Sequence, residues 1–474
     1  MKKTYFSAFG TLITIFFFWG FVAASNDILI PVFKKALHLS QFESQLISFA
    51  FYVAYTVGSI LYFAISALLK KDILNKIGYR NGLALGLIIS AVGTLLFIPA
   101  SNNASFIMLI SGLFIVGLGF ALQQIAANPL AIQMGDPSKG NIRLSMAGGI
   151  NNVGTTIGPV IVSFAIFGGV SSGESTLNLA AVQTPYICLG IAFVIAAIFF
   201  KFSSVPDRIE GSSSEGAGKI METLRHPQVL LGMLAIFLYV GVEVATVSNL
   251  PEFMKQKLGT SEGAVAPFVS LYWASLMIGR WTSAAGVFDL SKSMKTLLGI
   301  IFPFVAFGIF AGANIIGGHN INELYPYLGI VLILIAADYA SSGNPVKQVM
   351  IYASLGVIAL AIGIFSTGLT SVFAFISVGL FCSTLWPCIF TLSIAGMGEN
   401  TNTASSLLIM MIMGGGFISV LQGALADDSI LGIQQSYWIG VACFAYLVFF
   451  AWRVSKILQN RGVDIFSTEK VSGH

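Results

Sequence analysis

The sequence predicts an all-α polytopic membrane protein, and three observations carry that expectation. Only 9% of the 474 residues are Asp, Glu, Lys or Arg, whereas soluble globular domains carry about 25%. Hydrophobic residues make up 56% of the chain, and they fall into runs of the roughly 20 residues that a spanning helix needs. The segments between the runs are short and polar, with one longer exception. This composition excludes a soluble enzyme. Basic residues sit singly or in pairs between apolar runs, for a net charge of only +4, so no basic stripe exists for nucleic acid. Cys188, Cys382, Cys388 and Cys443 all lie inside apolar runs, where a thiol behaves as a small hydrophobe, and no disulfide framework is expected. His38, His226, His319 and His474 fall in predicted loops or the tail. No His, Cys or carboxylate cluster has metal-ligand spacing, and neither a metal nor a cofactor is expected.

Taken in order, the apolar runs predict spans near 8–32, 42–69, 81–99, 105–134, 143–170 and 182–201, a first bundle of six within residues 1–201. Residues 202–227 carry the Ser212-Ser213-Ser214 tract and many charges but no spanning run, so they read as a cytoplasmic connector. Further runs near 228–257, 263–289, 295–316, 324–340, 347–367, 370–396, 403–425 and 434–456 form a second bundle within 228–456, and 457–474 is a tail. The total is about 14 spans. Lys and Arg collect on cytoplasmic loops, and their distribution here places both termini inside. From Lys2 and Lys3, through Lys70, Lys71, Lys76 and Arg80, to Arg453 and Lys456, they fall on one side. Only Lys34, Lys35, Lys255 and Lys257 fall outside, while Arg280 lies within a run. The alternative reading of the first run as a cleavable signal ending at Val22-Ala23-Ala24 is opposed by its continuation through Ile28 to Phe33.

The halves repeat. Ser25-Asn26 followed by Pro31-Val32-Phe33-Lys34 parallels Ser248-Asn249 followed by Pro251-Glu252-Phe253-Met254-Lys255, and Ser40 and Ser261 then open the next helices. Parallel halves of this kind typify the major facilitator architecture of six plus six helices. Two runs are left over, and 295–340 reads as an inserted helical hairpin with its tip at Gly317-Gly318-His319-Asn320.

Ionisable side chains inside a span mark substrate or ion paths by default, and Asp27, Glu243 and Arg280 qualify. Asp27 can take up and release a proton, the chemistry a proton-coupled carrier needs; the alternative is a structural carboxylate paired near the outer interface. Glu243, in mid-span, is a second protonation site or an acceptor for substrate hydroxyls. Arg280 is a gate or a structural anchor. Asp338 lies near the end of a short run and reads as reaching the interface. Amides supply both donors and acceptors, as a polyhydroxylated ligand requires. Candidates are Asn26, Gln123, Gln124, Asn128, Asn151, Asn152 and Asn249, with Tyr239, Trp273 and Trp386 as aromatic platforms for a sugar ring. For each of these the competing role is helix–helix hydrogen bonding or packing.

At these residues the sequence resembles the fucose and glucose/galactose proton symporters of the major facilitator superfamily. The matching stretches include Phe18-Trp19-Gly20-Phe21, Asn26-Asp27-Ile28-Leu29-Ile30-Pro31, Gln124 with Ala126-Ala127-Asn128-Pro129, Tyr239-Val240-Gly241 with Glu243, Tyr272-Trp273 with Gly279-Arg280, and Trp386-Pro387. In the fucose carriers the aspartate matching Asp27 is implicated in proton coupling, together with a glutamate in the fourth span. Here Gln124 occupies that second place, as in the glucose/galactose branch, and Glu243 stands where the fucose branch tends to have glutamine. The resemblance therefore implies a hexose such as glucose or galactose. Gly148 replaces the family's glutamine three positions before Asn151, which bears on substrate choice. N-acetylglucosamine, fucose or another sugar is the alternative substrate. The expectation is a secondary active transporter of the bacterial inner membrane, a monomer taking up a monosaccharide with a proton by alternating access. A non-transporting sugar sensor is the rival from another class, and it would call for a signalling domain that neither the connector nor the tail is large enough to supply.

Overall fold

In a bilayer core no water is present to satisfy backbone groups, so a spanning chain folds either as helices or as a closed barrel. The computed structural model takes the first course. It describes residues 2–69, 73–134, 140–167, 180–207, 217–284, 291–397 and 400–463, and these are almost entirely helical. The first half contains α1 (Lys2–Ala36), α2 (Gln41–Leu68), α3 (Tyr79–Leu95), α4 (Phe106–Gln133), α5 (Gly140–Phe167) and α6 (Ala180–Lys201). The second contains α7 (Pro227–Leu258), α8 (Ala266–Ala284), α9 (Lys292–Ile316), α10 (Leu328–Ser341), α11 (Pro345–Phe365), α12 (Gly368–Cys382), α13 (Leu385–Ile394), α14 (Thr401–Met410), α15 (Gly414–Leu425) and α16 (Trp438–Asn460). Thirteen segments among the described residues are long and apolar enough to cross a membrane, and α8, which carries Arg280, adds a further 19-residue helix. Parts of the connector (208–216), the end of the eighth run (285–289) and most of the tail (464–474) lie outside the described residues.

Local chemistry sets the ends and breaks. Ser40 and Glu43 form a reciprocal capping box at α2: the Ser40 N–H donates to Glu43 Oε2 at 2.8 Å and the Glu43 N–H to Ser40 Oγ at 3.2 Å. Asn344 caps α11 by accepting from the Lys347 N–H at 3.0 Å, with Pro345 at the first helical position, where its missing N–H is harmless. The run expected as one span at 370–396 is broken between α12 and α13 at Ser383-Thr384. Pro387 has no N–H to offer the Ser383 carbonyl four residues back, and that carbonyl instead accepts Arg280 Nε at 3.1 Å. Likewise Pro99 cannot reach back to Leu95, and α3 ends there before a short helix at Phe97–Asn102.

Packing divides the described chain into two compact units. The first comprises Met1–Ser214, Gly259–Trp273 and Phe310–Asn320; the second comprises Glu215–Leu258, Ala274–Ile309 and Ile321–His474. Lipid tails are as apolar as side chains, so helix association rests on close packing and hydrogen bonds. In the first unit α1 packs on α5, α3 on α4 and α3 on α6. In the second, α7 packs on α15, α11 on α12 and α11 on α16, the same pairings in the same order. Glycines make the first pairing of each set possible. A Cβ on Gly20 would collide with the Asn151 carbonyl and one on Gly154 with the Phe17 carbonyl; in the second unit one on Gly414 would collide with the Phe237 carbonyl. Helices α9 and α10 have no counterpart in the first set. They occupy the segment expected as an inserted hairpin, and α9 exposes Leu297, Ile300, Ile301 and Val305, a patch suited to lipid rather than to water.

Candidate functional site

In the first unit the ionisable centre is Asp27. It is 3% exposed, deep in α1, and Pro31 leaves its backbone carbonyl without the usual helical donor. Its carboxylate Oδ2 accepts the indole N–H of Trp273 on α8 at 2.9 Å, and Trp273 is itself 5% exposed. Two residues separate that pair from a second polar chain. Ser270 Oγ donates to the Thr156 carbonyl of α5 at 2.7 Å, and Asn314 Nδ2 of α9 donates to Ser270 Oγ at 3.1 Å. The structure thus brings Asp27 and Trp273 together, two residues 246 positions apart in the chain.

The amides of α4 and α5 differ in how far packing has engaged them. Gln123 is fully buried: its Oε1 accepts the Trp19 indole N–H at 3.0 Å and its Nε2 donates to Ser90 Oγ at 3.2 Å. Asn151 Nδ2 donates to the Phe16 carbonyl at 2.9 Å, bracing α5 on α1. Gln124 is half-buried and hydrogen-bonds the Tyr55 phenol. Asn128 is half-buried one turn further along α4, and Asn152 is buried on α5. Asn26 lies on α1 between Ser25 and Asp27, its side chain outside the described set.

In the second unit the centre is Glu243. The Tyr239 phenol, one turn earlier on α7, donates to Glu243 Oε2. The Arg280 guanidinium of α8 is an electrostatic neighbour of the same carboxylate. Asn249, fully buried, donates to the Ala245 carbonyl at 2.9 Å. Trp386 is half-buried at the start of α13, its ring stacked on Phe390 with centroids 5.0 Å apart. Among the described residues no group of three or more His, Cys, Asp or Glu is placed to hold a metal ion.

Tyr55 and Ser270 are polar partners that the sequence did not single out. Only the juxtaposition of separate helices marks them. The network around Asp338 was missed for the same reason: Ser283, Gln348 and Tyr352 all donate to its Oδ1.

Residues 7–345 match the Major Facilitator Superfamily. Over 457 residues, 96% of each chain, the protein is 29% identical to a glucose/galactose transporter of Brucella abortus. It is 28% identical to a putative glucose/galactose transporter of Helicobacter pylori, covering 96% of this chain and 98% of that one. It is 26% identical to the L-fucose-proton symporter of Escherichia coli, with 97% and 95% covered. The crystal structure of the E. coli fucose:proton symporter FucP superposes with a TM-score of 0.62 at 24% identity, covering 95% of this chain and 99% of that one, a likeness of fold. The family match takes in the whole first half and reaches the start of α11, and the helix pairings of the two units repeat one another as that architecture requires. The chain belongs to the Major Facilitator Superfamily.

Proposed function

We propose that the protein is a secondary transporter that takes up a monosaccharide, a hexose such as glucose or galactose, together with a proton. The observation that carries this reading is the buried Asp27 carboxylate, held by the Trp273 indole. A carboxylate inside a membrane helix is expensive to keep charged. Here it has a donor that is retained or lost with its charge: a hydrogen bond to an ionised acceptor is roughly twice as strong as a neutral one. Protonating Asp27 therefore weakens its tie to α8, and losing the proton restores it. Such a switch couples proton binding to the position of α8 by alternating access. Trp273 also brings an aromatic face, the surface on which a sugar ring stacks. Glu243 accepts the Tyr239 phenol and has the Arg280 guanidinium as an electrostatic neighbour, a polar cluster suited to hydrogen-bonding a polyhydroxylated ligand. We assign Glu243 to hydroxyl recognition, with Tyr239 and Arg280 positioning it, and leave proton coupling to Asp27.

The names of the relatives support a sugar and a proton. Support for a hexose comes from the glucose/galactose transporters and from Gln124 in the fourth span. The proposed setting is the bacterial inner membrane with both termini cytoplasmic, as the Lys and Arg distribution indicates. Proteoliposomes loaded with purified protein test the substrate. Uptake of labelled glucose, galactose, fucose and N-acetylglucosamine is measured with and without an imposed inward proton gradient. Gradient-dependent accumulation of glucose or galactose in preference to fucose is the expected result. Preference for fucose or N-acetylglucosamine reassigns the sugar, and no accumulation of any of them rejects the uptake reading.

A further inference from the structure

The inserted hairpin carries an ionisable group that the uptake reading leaves unused. Asp338 lies on α10, three residues before that helix ends at Ser341. Three neutral donors converge on its Oδ1: the Ser283 hydroxyl of α8 at 2.5 Å, and the Gln348 amide and Tyr352 phenol of α11, each at 3.3 Å. Gln348 Nε2 also reaches Ser283 Oγ at 3.3 Å, and Gln348 Oε1 accepts the Cys388 thiol of α13 at 3.3 Å. Gln348, Tyr352 and Cys388 are buried, while Asp338 is half-buried. One carboxylate of the hairpin thus gathers side chains from three other helices.

Neither charged side chain on α8 and α11, Arg280 or Lys347, pairs with Asp338 among the described residues. Arg280, one turn before Ser283, donates to the Ser383 carbonyl and neighbours Glu243. Lys347 stands at the capped start of α11. No cation within ion-pair distance of Asp338 is found among the described residues. The titratable neighbours, Tyr352 and Cys388, have ordinary values of about 10 and 8.5 and carry no charge at neutral pH.

We propose that Asp338 is a second proton-exchange site, built by the inserted hairpin and distinct from Asp27. A metal cation is the poorer occupant, because hard cations need several oxygen lone pairs, and here the surrounding groups direct hydrogens at Oδ1. A proton fits. It adds from solvent to Oδ2, which accepts no hydrogen bond among the described residues, converts the carboxylate to a neutral acid, and returns to solvent on release. Oδ1 keeps its three donors in both forms. The charge state alters the strength of bonds tying α10 to α8 and α11 and, through Gln348, to α13 beyond the break at Ser383. In the uptake reading this makes transport depend on two ionisable groups instead of one.

Infrared difference titration of the purified full chain, without sugar or gradient, tests the site directly. The readout is the carbonyl-stretch intensity of protonated carboxyls that disappears as pH is raised. Wild type is compared with Asp338→Asn, Asp27→Asn and Tyr352→Phe, each checked for a monodisperse profile in detergent. The expected result is loss of one titrating component in Asp338→Asn, retention of that component in Asp27→Asn, and a displaced midpoint for it in Tyr352→Phe. A titration of Asp338→Asn that superimposes on wild type overturns the proposal. If Asp338→Asn does not fold, an unchanged midpoint in Tyr352→Phe overturns it instead. Because no transport is measured, this outcome is separable from failure of the uptake reading, which sugar accumulation decides.

Discussion

At the scale of single residues, the working parts are polar atoms whose partners lie far away in sequence. Trp273→Phe keeps the ring and removes the N–H that Asp27 accepts. A hydrogen bond to a charged group is worth about 1.5–3 kcal/mol, and about 1.4 kcal/mol corresponds to one pH unit. The pH profile of sugar uptake by Trp273→Phe is therefore displaced by about one unit or more; superimposable profiles count against the pair. His319, at the hairpin tip, is a different case. Burial holds its imidazole below the ordinary 6.5, and its Nε2 finds no hydrogen-bond partner among the described residues. The unfolded chain takes up the proton as pH falls through about 6.5, while the folded chain takes it up only at lower pH. The folded state thus loses stability on acidification below that value. His319→Phe is expected to flatten the fall in Tm between neutral and acidic pH. Asp27, Glu243 and Arg280 were legible as ionisable groups within apolar runs. Their partners were not, because only folding brings Trp273 to Asp27 or Arg280 to Glu243. Asp338 was read as a group reaching the interface, since its three donors lie on two other helices.

At the scale of helices, glycine positions separate contact faces from lipid faces. Gly154→Val forces α5 away from α1, and Gly414→Val forces α15 away from α7, because in each case the new side chain meets a backbone carbonyl. Overpacking of this kind costs about 1–3 kcal/mol, seen as lower Tm and lower yield. Gly308→Ala and Gly312→Ala on α9 meet nothing within 4 Å and are expected to change Tm little. A matching loss at Gly308 would contradict the lipid-facing placement of α9. The spans themselves were legible from hydrophobic runs, including the two left over from a six-plus-six count. The break at Ser383 was not legible in the run 370–396, because a proline is accommodated inside some membrane helices, as Pro31 is in α1, and interrupts others. Arg280 takes the Ser383 carbonyl here.

At the scale of the molecule, duplication and charge asymmetry set the architecture. Ser25-Asn26 and Ser248-Asn249 were the visible trace of the repeat, and the matched helix pairings α1 on α5 and α7 on α15 are its structural form. Lysine placement predicts the orientation. In a variant lacking the native cysteines, Lys257→Cys is expected to react with an impermeant maleimide on intact cells, and Lys456→Cys only after permeabilisation; the reverse pattern inverts the topology. The account as a whole rests on Asp27 as the group that couples proton to sugar. The most direct measurement compares wild type with Asp27→Asn in proteoliposomes for two activities, accumulation driven by an inward proton gradient and sugar counterflow without a gradient. The account predicts that Asp27→Asn loses gradient-driven accumulation yet retains counterflow. Undiminished accumulation by the variant would contradict it.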